Sequence, residues 1–276
     1  MATTAAAKRL HGKTVVVTGA SSGIGRSCAV EFARTAAIGG NANFRLILTA
    51  RRIDTLRQIA ADITNEVGAA GVQVLPVQLD VSDPDAVRAF VGNLPAEWRD
   101  IHVLVNNAGL VKGLDRAPQI AEADINVMFN TNVTGLINMT QAILPIFLKR
   151  GSDGGAGDII NIGSIAGLEP YPGGSIYCAT KAAVRSFTES LRKELIHTRV
   201  RVIEVDPGQV ETEFSIVRFG GDKAKADAVY AGVNPLTPDD IADVVVFTAT
   251  RPENVVIANS LIFPQHQGAA GLLYRK

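Results

Sequence analysis

The start of the chain carries the pattern that most constrains the fold: a short apolar run leads through a glycine-rich loop into a helical pattern. Residues 13–18 read KTVVVT, a β-branched run typical of a buried parallel strand. The loop Gly19–Gly25 follows at once and opens a helical pattern over residues 23–37. In such a setting the glycines allow a tight turn, and the free N–H groups at the helix start attract phosphate. An ordinary glycine turn is the alternative, but the flanking strand and helix favour a pyrophosphate cradle built from Gly19, Ser21, Ser22, Gly23, Ile24 and Gly25.

Apolar runs alternate with helical patterns along almost the whole chain. This alternation predicts an α/β fold of the Rossmann type, a single domain with a doubly wound parallel β-sheet, right-handed crossovers and helices on both faces. Strands are predicted near residues 14–18, 44–50, 72–78, 101–106, 157–163, 199–205 and 259–263. Helices are predicted at residues 23–37, 52–67, 83–93, 120–148, 175–197 and 238–250. We expect one domain over residues 1–276, with a flexible start at 1–10 and a flexible surface loop at 151–157.

Composition excludes several classes of function. Basic and acidic residues number 27 each, so neither a basic stripe for nucleic acid nor an acidic tail is indicated. No apolar run approaches the length that crosses a bilayer, and the first residues lack the layout of a secretory signal. Cys28 and Cys178 do not make a disulfide framework, and both are expected to be buried helix thiols. The histidines are scattered, so no metal site is predicted, and we expect a soluble protein of a reducing compartment, the cytoplasm.

Polar and glycine-rich motifs follow the ends of the predicted strands. In parallel sheets the carboxyl ends of the strands share one edge, and ligands bind outside that edge. The motifs should therefore meet in a single site, and they are the loop Gly19–Gly25, Arg51, Asp80, the segment Asn106–Gly109, Ser164 and the pair Pro207–Gly208.

One pair of residues suits proton transfer. Lys181 follows Tyr177 by four residues in a predicted helix, so both side chains share a helix face. A tyrosine has a pKa of about 10, and a neighbouring positive charge is expected to lower it toward the working range. Ser164, thirteen residues earlier, could hold a substrate oxygen beside the phenol. Taken alone, a Tyr-x-x-x-Lys pair is most often a solvated helix face.

Several motifs agree in order with a known family. The segments Thr18–Gly25 (TGASSGIG) and Asn106–Gly109 (NNAG), followed by Asn132, Ser164 and the Tyr177/Lys181 pair, resemble the short-chain dehydrogenase/reductase family over about residues 10–265. The resemblance implies hydride transfer between a nicotinamide cofactor and an alcohol or carbonyl group. It also implies that the protein needs a small-molecule substrate and forms a homotetramer through the helices at 120–148 and 175–197.

The resemblance assigns a role to each catalytic position. Tyr177 would protonate the forming alkoxide, while Ser164 donates a hydrogen bond to the same oxygen. Lys181 would bind the nicotinamide ribose and lower the pKa of Tyr177. Asn132 would bend its helix and hold a water that links the lysine to solvent. Further cofactor contacts are implied for Asp80, Val81, Asn107, Ala108, Gly109, Pro207, Gly208, Val210 and Thr212.

The end of the second predicted strand indicates which nicotinamide cofactor is used. An NAD enzyme usually has an acidic residue there for the ribose 2′-hydroxyl, whereas a 2′-phosphate requires arginine. This strand ends in Arg51 and Arg52, and Asp54 is placed to start the next helix. The alternative is that both arginines only solvate that helix start. The pattern favours NADP.

Three further segments narrow the resemblance to the NADP-dependent 3-hydroxy acid dehydrogenases, which act on serine, allo-threonine and related acids. They are residues 171–181, 210–219 and 256–264. A substrate lid is expected at about residues 213–235. A 3-hydroxy acid needs a positive or N–H-rich partner for its carboxylate, and Arg218 in the lid is the candidate, although a lid arginine is more often a hinge or surface contact.

Two other functions remain open from the sequence. A reductase of ketoacyl thioesters or other carbonyl compounds would share the same motifs but differ in the lid and the chain end. A catalytically silent NADP-binding protein is a third possibility, but all four catalytic positions are present in this chain.

Overall fold

A sheet of parallel strands runs through the protein, and this computed structural model describes residues 4–151 and 154–276. In chain order the strands are β1 (Thr14–Thr18), β2 (Phe44–Ala50), β3 (Val72–Gln78), β4 (Val103–Asn106), β5 (Ala156–Ile162), β6 (Arg199–Pro207) and β7 (Asn259–Ile262). Across the sheet their order is β3-β2-β1-β4-β5-β6-β7, and all neighbouring pairs are parallel. The predicted doubly wound parallel sheet is confirmed, and the direction of winding reverses between β1 and β4.

Helices connect the strands. They are α1 (Thr4–Lys8), α2 (Gly23–Ala37), α3 (Ile53–Val67), α4 (Pro84–Asn93), α5 (Glu122–Phe129), α6 (Leu136–Leu148), α7 (Ser175–Glu194), α8 (Phe214–Arg218), α9 (Lys223–Tyr230) and α10 (Pro238–Ala249). A small antiparallel hairpin, β8 (Gln267–Ala269) and β9 (Leu272–Leu273), follows β7. Within the described ranges, no helix has both the length and the apolar character that crossing a membrane requires.

The run of valines in β1 reflects burial on both faces of the sheet. Val15 and Val17 point into the core that α2, α3 and α10 cover, whereas Val16 points into the opposite core under α4, α6 and α7. All three side chains are fully buried. Because neither face meets water, the strand shows no alternation of polar and apolar residues.

The long helix predicted at residues 120–148 is interrupted. Residues Asn130–Gly135 wind as a π-helix between α5 and α6. The bend expected around Asn132 coincides with this segment. Gly135 makes a close contact there, since a Cβ at this position would lie 2.8 Å from the carbonyl oxygen of Val81. The apolar periodicity continues on both sides of the segment, which is why the sequence pattern did not reveal the break.

The start of the described chain, part of the segment expected to be flexible at residues 1–10, packs against the rest of the domain. Helix α1 buries Ala6 and Ala7, and Leu10 is fully buried in the core. The guanidinium of Arg9 donates to the carbonyl oxygen of Thr250 at 2.9 Å. Apolar contact and one long-range hydrogen bond therefore hold residues 4–10, whereas residues 1–3 lie outside the described residues.

Of the surface loop predicted at residues 151–157, residues 152–153 also lie outside the described residues. Strand β5 already begins at Ala156, within this predicted loop.

The segment predicted as a lid contains two short helices, α8 and α9. The end of the chain packs under it. The guanidinium of Arg275 donates to the carbonyl oxygen of Ala231 at 2.6 Å, and the backbone N–H of Lys276 donates to that of Gly232 at 2.8 Å. Residues 213–235 thus lie between the cleft at the strand ends and the chain terminus.

Candidate active site

The carboxyl ends of the strands open into one cleft with a volume of about 450 Å³. Loops that are distant in sequence meet here because all parallel strands end at the same edge. The predicted site residues that line it are Gly19, Ser21, Ser22, Gly23, Ile24, Arg51, Arg52, Asp80, Val81, Asn107, Ala108, Gly109, Ser164, Tyr177, Lys181, Pro207, Gly208, Val210 and Thr212. Gly25, Asn132 and Arg218 are not part of the lining. We call the region around Gly19–Gly25 with Arg51 and Arg52 the phosphate end, and the region around Ser164, Tyr177 and Lys181 the catalytic end.

The glycine loop at the phosphate end packs against the Asn106–Gly109 segment. Gly19 has a φ of +66°, and a Cβ there would lie 2.8 Å from the Cα of Ala108. At Gly25 a Cβ would collide with the side-chain amide of Asn107 and with the carbonyl oxygen of Gly19. Asn107 in turn donates to the carbonyl oxygen of Thr18 at 2.8 Å. Gly25 therefore shapes the loop from behind, which explains why it is predicted from the motif and yet lies outside the lining.

The start of α2 lines the cleft with Ser22, Gly23 and Ile24. Ser22 precedes the helix in an extended conformation, and its side chain makes no capping hydrogen bond within the described residues. The orphan N–H groups of a helix start, together with the helix dipole, form a site for an anion.

Two exposed arginines flank this site. The guanidinium of Arg52 donates to the hydroxyl of Ser21 at 3.1 Å and to the carboxylate of Glu213 at 3.2 Å. Arg51 lies 4.0 Å from the carboxylate of Asp80. The arginine side chains are 67% exposed at Arg51 and 52% at Arg52, so both can reach a ligand without leaving a buried partner.

Asp80 also stabilises its own turn. Its Oδ1 accepts hydrogen bonds from the backbone N–H of Ser82 at 3.0 Å and from the Ser82 hydroxyl at 2.7 Å. The second carboxylate oxygen faces Arg51. Asp80 thus shapes the turn after β3 and lines the cleft at the same time.

At the catalytic end, burial dominates the chemistry of Tyr177. The residue is 9% exposed, and its ring packs edge to face against Phe214 with ring centroids 5.5 Å apart. Burial raises the pKa of the phenol above its ordinary value, because a phenolate would lose its hydration; a hydrogen bond with the Ser164 hydroxyl acts in the opposite direction. The lowering of this pKa by Lys181, expected from the helix spacing, stays a prediction. Tyr177 is therefore a protonated acid at neutral pH.

Lys181 lies on the same face of α7 as Tyr177 but reaches past it. Its Nζ is 5.8 Å from the centroid of the tyrosine ring and donates to the carbonyl oxygen of Ile162 at 2.8 Å. The side chain is buried, and loss of hydration lowers the pKa of Lys181 to about 8, although the carboxyl groups of Asp206 and Glu204 act against this.

Asn132 joins three elements behind the catalytic end. Its Oδ1 accepts from the backbone N–H of Leu110 at 2.8 Å, and its Nδ2 donates to the carbonyl oxygen of Leu110 at 2.8 Å and to the Thr180 hydroxyl at 3.1 Å. Asn132 is 1% exposed. The side-chain amide is thus used to connect the π-helix to the loop after β4 and to α7, and the water link to Lys181 stays a prediction.

Arg218 connects the lid to two loops. Its guanidinium donates to the carbonyl oxygen of Gly113 at 3.3 Å, to the phenol of Tyr171 at 3.3 Å and to the carbonyl oxygen of Gly173 at 3.2 Å. It also lies over the Tyr171 ring, 5.6 Å from the centroid. Its charge is near enough to act on the Tyr177 phenol, where it lowers the pKa. The direct contact with substrate that the sequence suggested for Arg218 stays a prediction.

Comparison with known proteins decides the family. The model of the short chain dehydrogenase family matches residues 13–219. The chain belongs to the short-chain dehydrogenase family.

Individual members of this family are similar over nearly the whole chain. An NADP-dependent 3-hydroxy acid dehydrogenase of Schizosaccharomyces pombe is 53% identical over 97% of this chain and 98% of its own length. Sulfoacetaldehyde reductase 2 of Chromohalobacter salexigens is 41% identical over 92% of this chain and 94% of its own. The closed form of a serine dehydrogenase complexed with NADP+ superposes with a TM-score of 0.83 at 39% identity, covering 95% of this chain and 99% of that one. The predicted family resemblance is thereby confirmed.

The motifs of the short-chain dehydrogenase family did not reveal the apolar part of the cleft. Leu110, Phe214 and Val217 line this part. The other lining residues that the motifs did not predict are Ala50, Leu79, Thr131, Ile162, Gly163 and Glu213. Phe214 and Val217 belong to α8, whose five residues are too few to give a clear helical pattern.

Cys28 and Cys178, expected to be buried thiols, are free and buried.

Proposed function

We propose that the protein is an NADP-dependent dehydrogenase that interconverts small 3-hydroxy acids of the serine, allo-threonine or 3-hydroxyisobutyrate type and their 3-oxo acids. One observation carries the proposal: the same cleft holds Ser164, Tyr177 and Lys181 at one end and a phosphate site flanked by Arg51 and Arg52 at the other. Proteins named for this activity resemble the chain over nearly its whole length.

The phosphate end fits a dinucleotide with a 2′-phosphate. The uncapped first turn of α2 would hold the pyrophosphate, and the exposed guanidinium groups of Arg51 and Arg52 would hold the 2′-phosphate. Asp80 and Val81 would contact the adenine end, and Val210 and Thr212 the carboxamide end, since all four line the cleft.

The catalytic end suits proton delivery to a carbonyl oxygen. When bound, NADPH supplies the hydride to the carbonyl carbon. As negative charge develops on the oxygen, Ser164 donates a hydrogen bond and Tyr177 gives up its proton. The raised pKa of Tyr177 keeps this proton in place until the alkoxide forms. In the oxidative direction the same phenol must take up the proton, and the nearby charges of Lys181 and Arg218 favour its transient ionisation.

The substrate end of the cleft combines apolar walls with a nearby cation. Leu110, Phe214 and Val217 would pack against the carbon chain and exclude water from the reacting oxygen. Arg218, held between the lid and two loops, would attract the carboxylate. Hydroxy acids and sulfoacetaldehyde, which occur in the names of the relatives, share a small carbon chain with an acidic group.

The first experiment is a substrate panel with NADPH absorbance as the readout. We expect oxidation of one or more of L-serine, D-serine, L-allo-threonine and 3-hydroxyisobutyrate with NADP, and little or none with NAD. Reduction of a 3-ketoacyl thioester without turnover of any hydroxy acid would instead favour the second candidate, a carbonyl or ketoacyl reductase, for which the apolar residues Leu110, Phe214 and Val217 are the supporting observation. Binding of NADPH without turnover of any substrate would indicate a silent NADP-binding protein.

The role of Arg218 is tested with an acid and its methyl ester. In Arg218→Ala, catalytic efficiency should fall at least about tenfold for L-serine, as the loss of one charge-assisted contact implies, and much less for L-serine methyl ester. Lys223→Ala is the control, because this exposed lid residue pairs with Asp227 on its own helix and does not line the cleft. Equal losses on acid and ester would remove Arg218 as the carboxylate partner and leave it as a contact of the lid.

Assembly and compartment belong to the same proposal. We propose a cytoplasmic homotetramer that contacts through the surfaces of α5, α6 and α7, with neither nucleic acid nor membrane as a partner. Sedimentation velocity at several protein concentrations measures the assembly directly, and a stable monomer would contradict it.

A further inference from the structure

Two buried carboxyl groups lie directly behind the catalytic end, on β6. Glu204 and Asp206 are two residues apart, so both side chains point to the same face of the sheet. Their exposures are 0% and 2%. Two adjacent carboxylates cannot both be ionised away from water without a large cost in free energy. Neither residue belongs to the motifs that carry the family resemblance.

The contacts of these groups indicate that one of them is protonated. Oε1 of Glu204 has no hydrogen-bond partner among the described residues. A Cβ on Gly163 would lie 2.7 Å from this oxygen and would collide with Oδ1 of Asp206, so the two carboxyl groups lie side by side. Two ionised carboxylates offer no donor to each other, whereas a proton on one of them would give this oxygen a partner and remove the repulsion between two buried charges.

Asp206 is the member that faces the catalytic end. Its Oδ1 accepts a hydrogen bond from the backbone N–H of Ser164 at 2.9 Å. From α7, the guanidinium of Arg185 approaches Oδ2 to 4.0 Å while it also pairs with Glu189 at 3.1 Å. The negative charge of Asp206 also supports the protonated form of Lys181. Burial raises the pKa of Asp206, and these donors and cations act in the opposite direction, in favour of its ionised form.

Glu204 lies two residues before Asp206 on β6, on the same face of the sheet. Its Oε2 accepts from the side-chain amide of Asn259 on β7 at 3.2 Å. Burial and the neighbouring charge of Asp206 raise the pKa of Glu204 to about 8. The shared proton therefore belongs to Glu204 at neutral pH.

We propose that Glu204 and Asp206 share one proton and act as positioning residues of the dehydrogenase, fixing the backbone of Ser164 and maintaining the positive charge of Lys181. The kinetic consequence rests on the proposed function, whereas the shared proton does not. As pH rises, loss of that proton adds a negative charge near Lys181 in the range where the lysine would lose its own charge. Lys181 therefore stays charged further into the alkaline range than burial alone would allow.

The first test needs only the native protein. Infrared spectra at neutral pH should contain the absorption of a protonated carboxyl group, and the band should disappear as pH is raised through about 8. Glu204→Gln should abolish the band. A native spectrum without a protonated carboxyl group would overturn the proposal, whether or not any variant folds.

The second test separates positioning from simple stability through the pH profile of kcat. Glu204→Gln keeps a neutral donor beside Asp206, so kcat should be nearly native at neutral pH. The alkaline limb of the profile, where kcat changes as pH rises, should move to lower pH. Asp206→Asn removes the charge itself, so kcat should fall at least about tenfold and the same limb should move further.

Glu189→Gln is the matched control for both variants. This carboxylate contacts Arg185 on the outer side and should leave the alkaline limb in place. If kcat of the variants falls equally at all pH values and the alkaline limb does not shift, the pair has a purely structural role. If Asp206→Asn does not fold, the infrared band and Glu204→Gln still decide. If the native protein oxidises no hydroxy acid, the proposed function fails, while the infrared result still tests the shared proton.

Discussion

At the phosphate end of the cleft, the side chains of Arg51 and Arg52 are 67% and 52% exposed, whereas Tyr177 and Lys181 at the catalytic end are 9% and 7% exposed. The exposed guanidinium groups can act as a screened, adjustable contact for a phosphate. The buried groups lose hydration, and this loss changes their pKa values in opposite directions, upward for the phenol and downward for the ammonium group.

This difference has a consequence for how each end works. Under the proposed function, recognition at the phosphate end would depend on charge and on the close approach of backbone to backbone. Chemistry at the catalytic end would depend on which buried group holds a proton. A substitution at one end should therefore leave the main property of the other end intact.

The largest expected effect is at the catalytic end. Tyr177→Phe keeps the ring that packs against Phe214 but removes the phenolic proton, so kcat should fall by about 10²–10⁴-fold, as loss of a general acid implies. NADPH affinity, measured by fluorescence titration, should change little because the phosphate end is untouched. Turnover close to native would contradict the role of Tyr177 as proton donor. A parallel loss of NADPH affinity would show that the two ends of the cleft do not act independently.

A second effect follows from the close backbone packing of the phosphate end. Gly25→Ala places a methyl group against the Gly19 carbonyl oxygen and the Asn107 amide, and should cost about 1–3 kcal/mol of stability, nearer the upper value because backbone atoms must move. NADPH affinity should fall with it.

Gly92→Ala is the matched control for this change. Gly92 also lies in a helix, but a Cβ there meets nothing within 4 Å, so alanine should stabilise by about 0.5–1 kcal/mol. Urea unfolding gives the free energy of unfolding of both variants. Equal values for the two would show that the packing around Gly25 tolerates a side chain.

The smallest of these effects concerns charge alone. Arg51→Ala or Arg52→Ala should raise the KM for NADP at least about tenfold, the value of one charge-assisted contact, and leave the KM for NAD almost unchanged. Arg57→Ala serves as the control, since this exposed arginine of α3 pairs with Asp54 and does not line the cleft. Equal weakening of both cofactors in both variants would show that the arginines do not read the 2′-phosphate.

Local patterns were sufficient for most of the elements of the fold. Helix α2 and strands β2 and β3 have the predicted bounds, because their apolar periodicity and the flanking turn residues are local signals. The π-helix at Asn130–Gly135 and the short helices α8 and α9 were not foreseen. Their conformations depend on contacts with distant residues, such as the hydrogen bonds of Asn132 to Leu110.

The sequence by itself determined the parallel α/β fold, the glycine loop, the positions of Ser164, Tyr177 and Lys181, and the arginines at the second strand end. Each of these depends on neighbours in the chain or on the shared edge of a parallel sheet. Only the tertiary structure decided the protonation states, because a pKa depends on burial and on charges from other elements. It placed Lys181 5.8 Å from the Tyr177 ring centroid, and it buried Glu204 and Asp206 together behind Ser164. No spacing along the chain encodes how much water these groups lose when the sheet and α7 pack together.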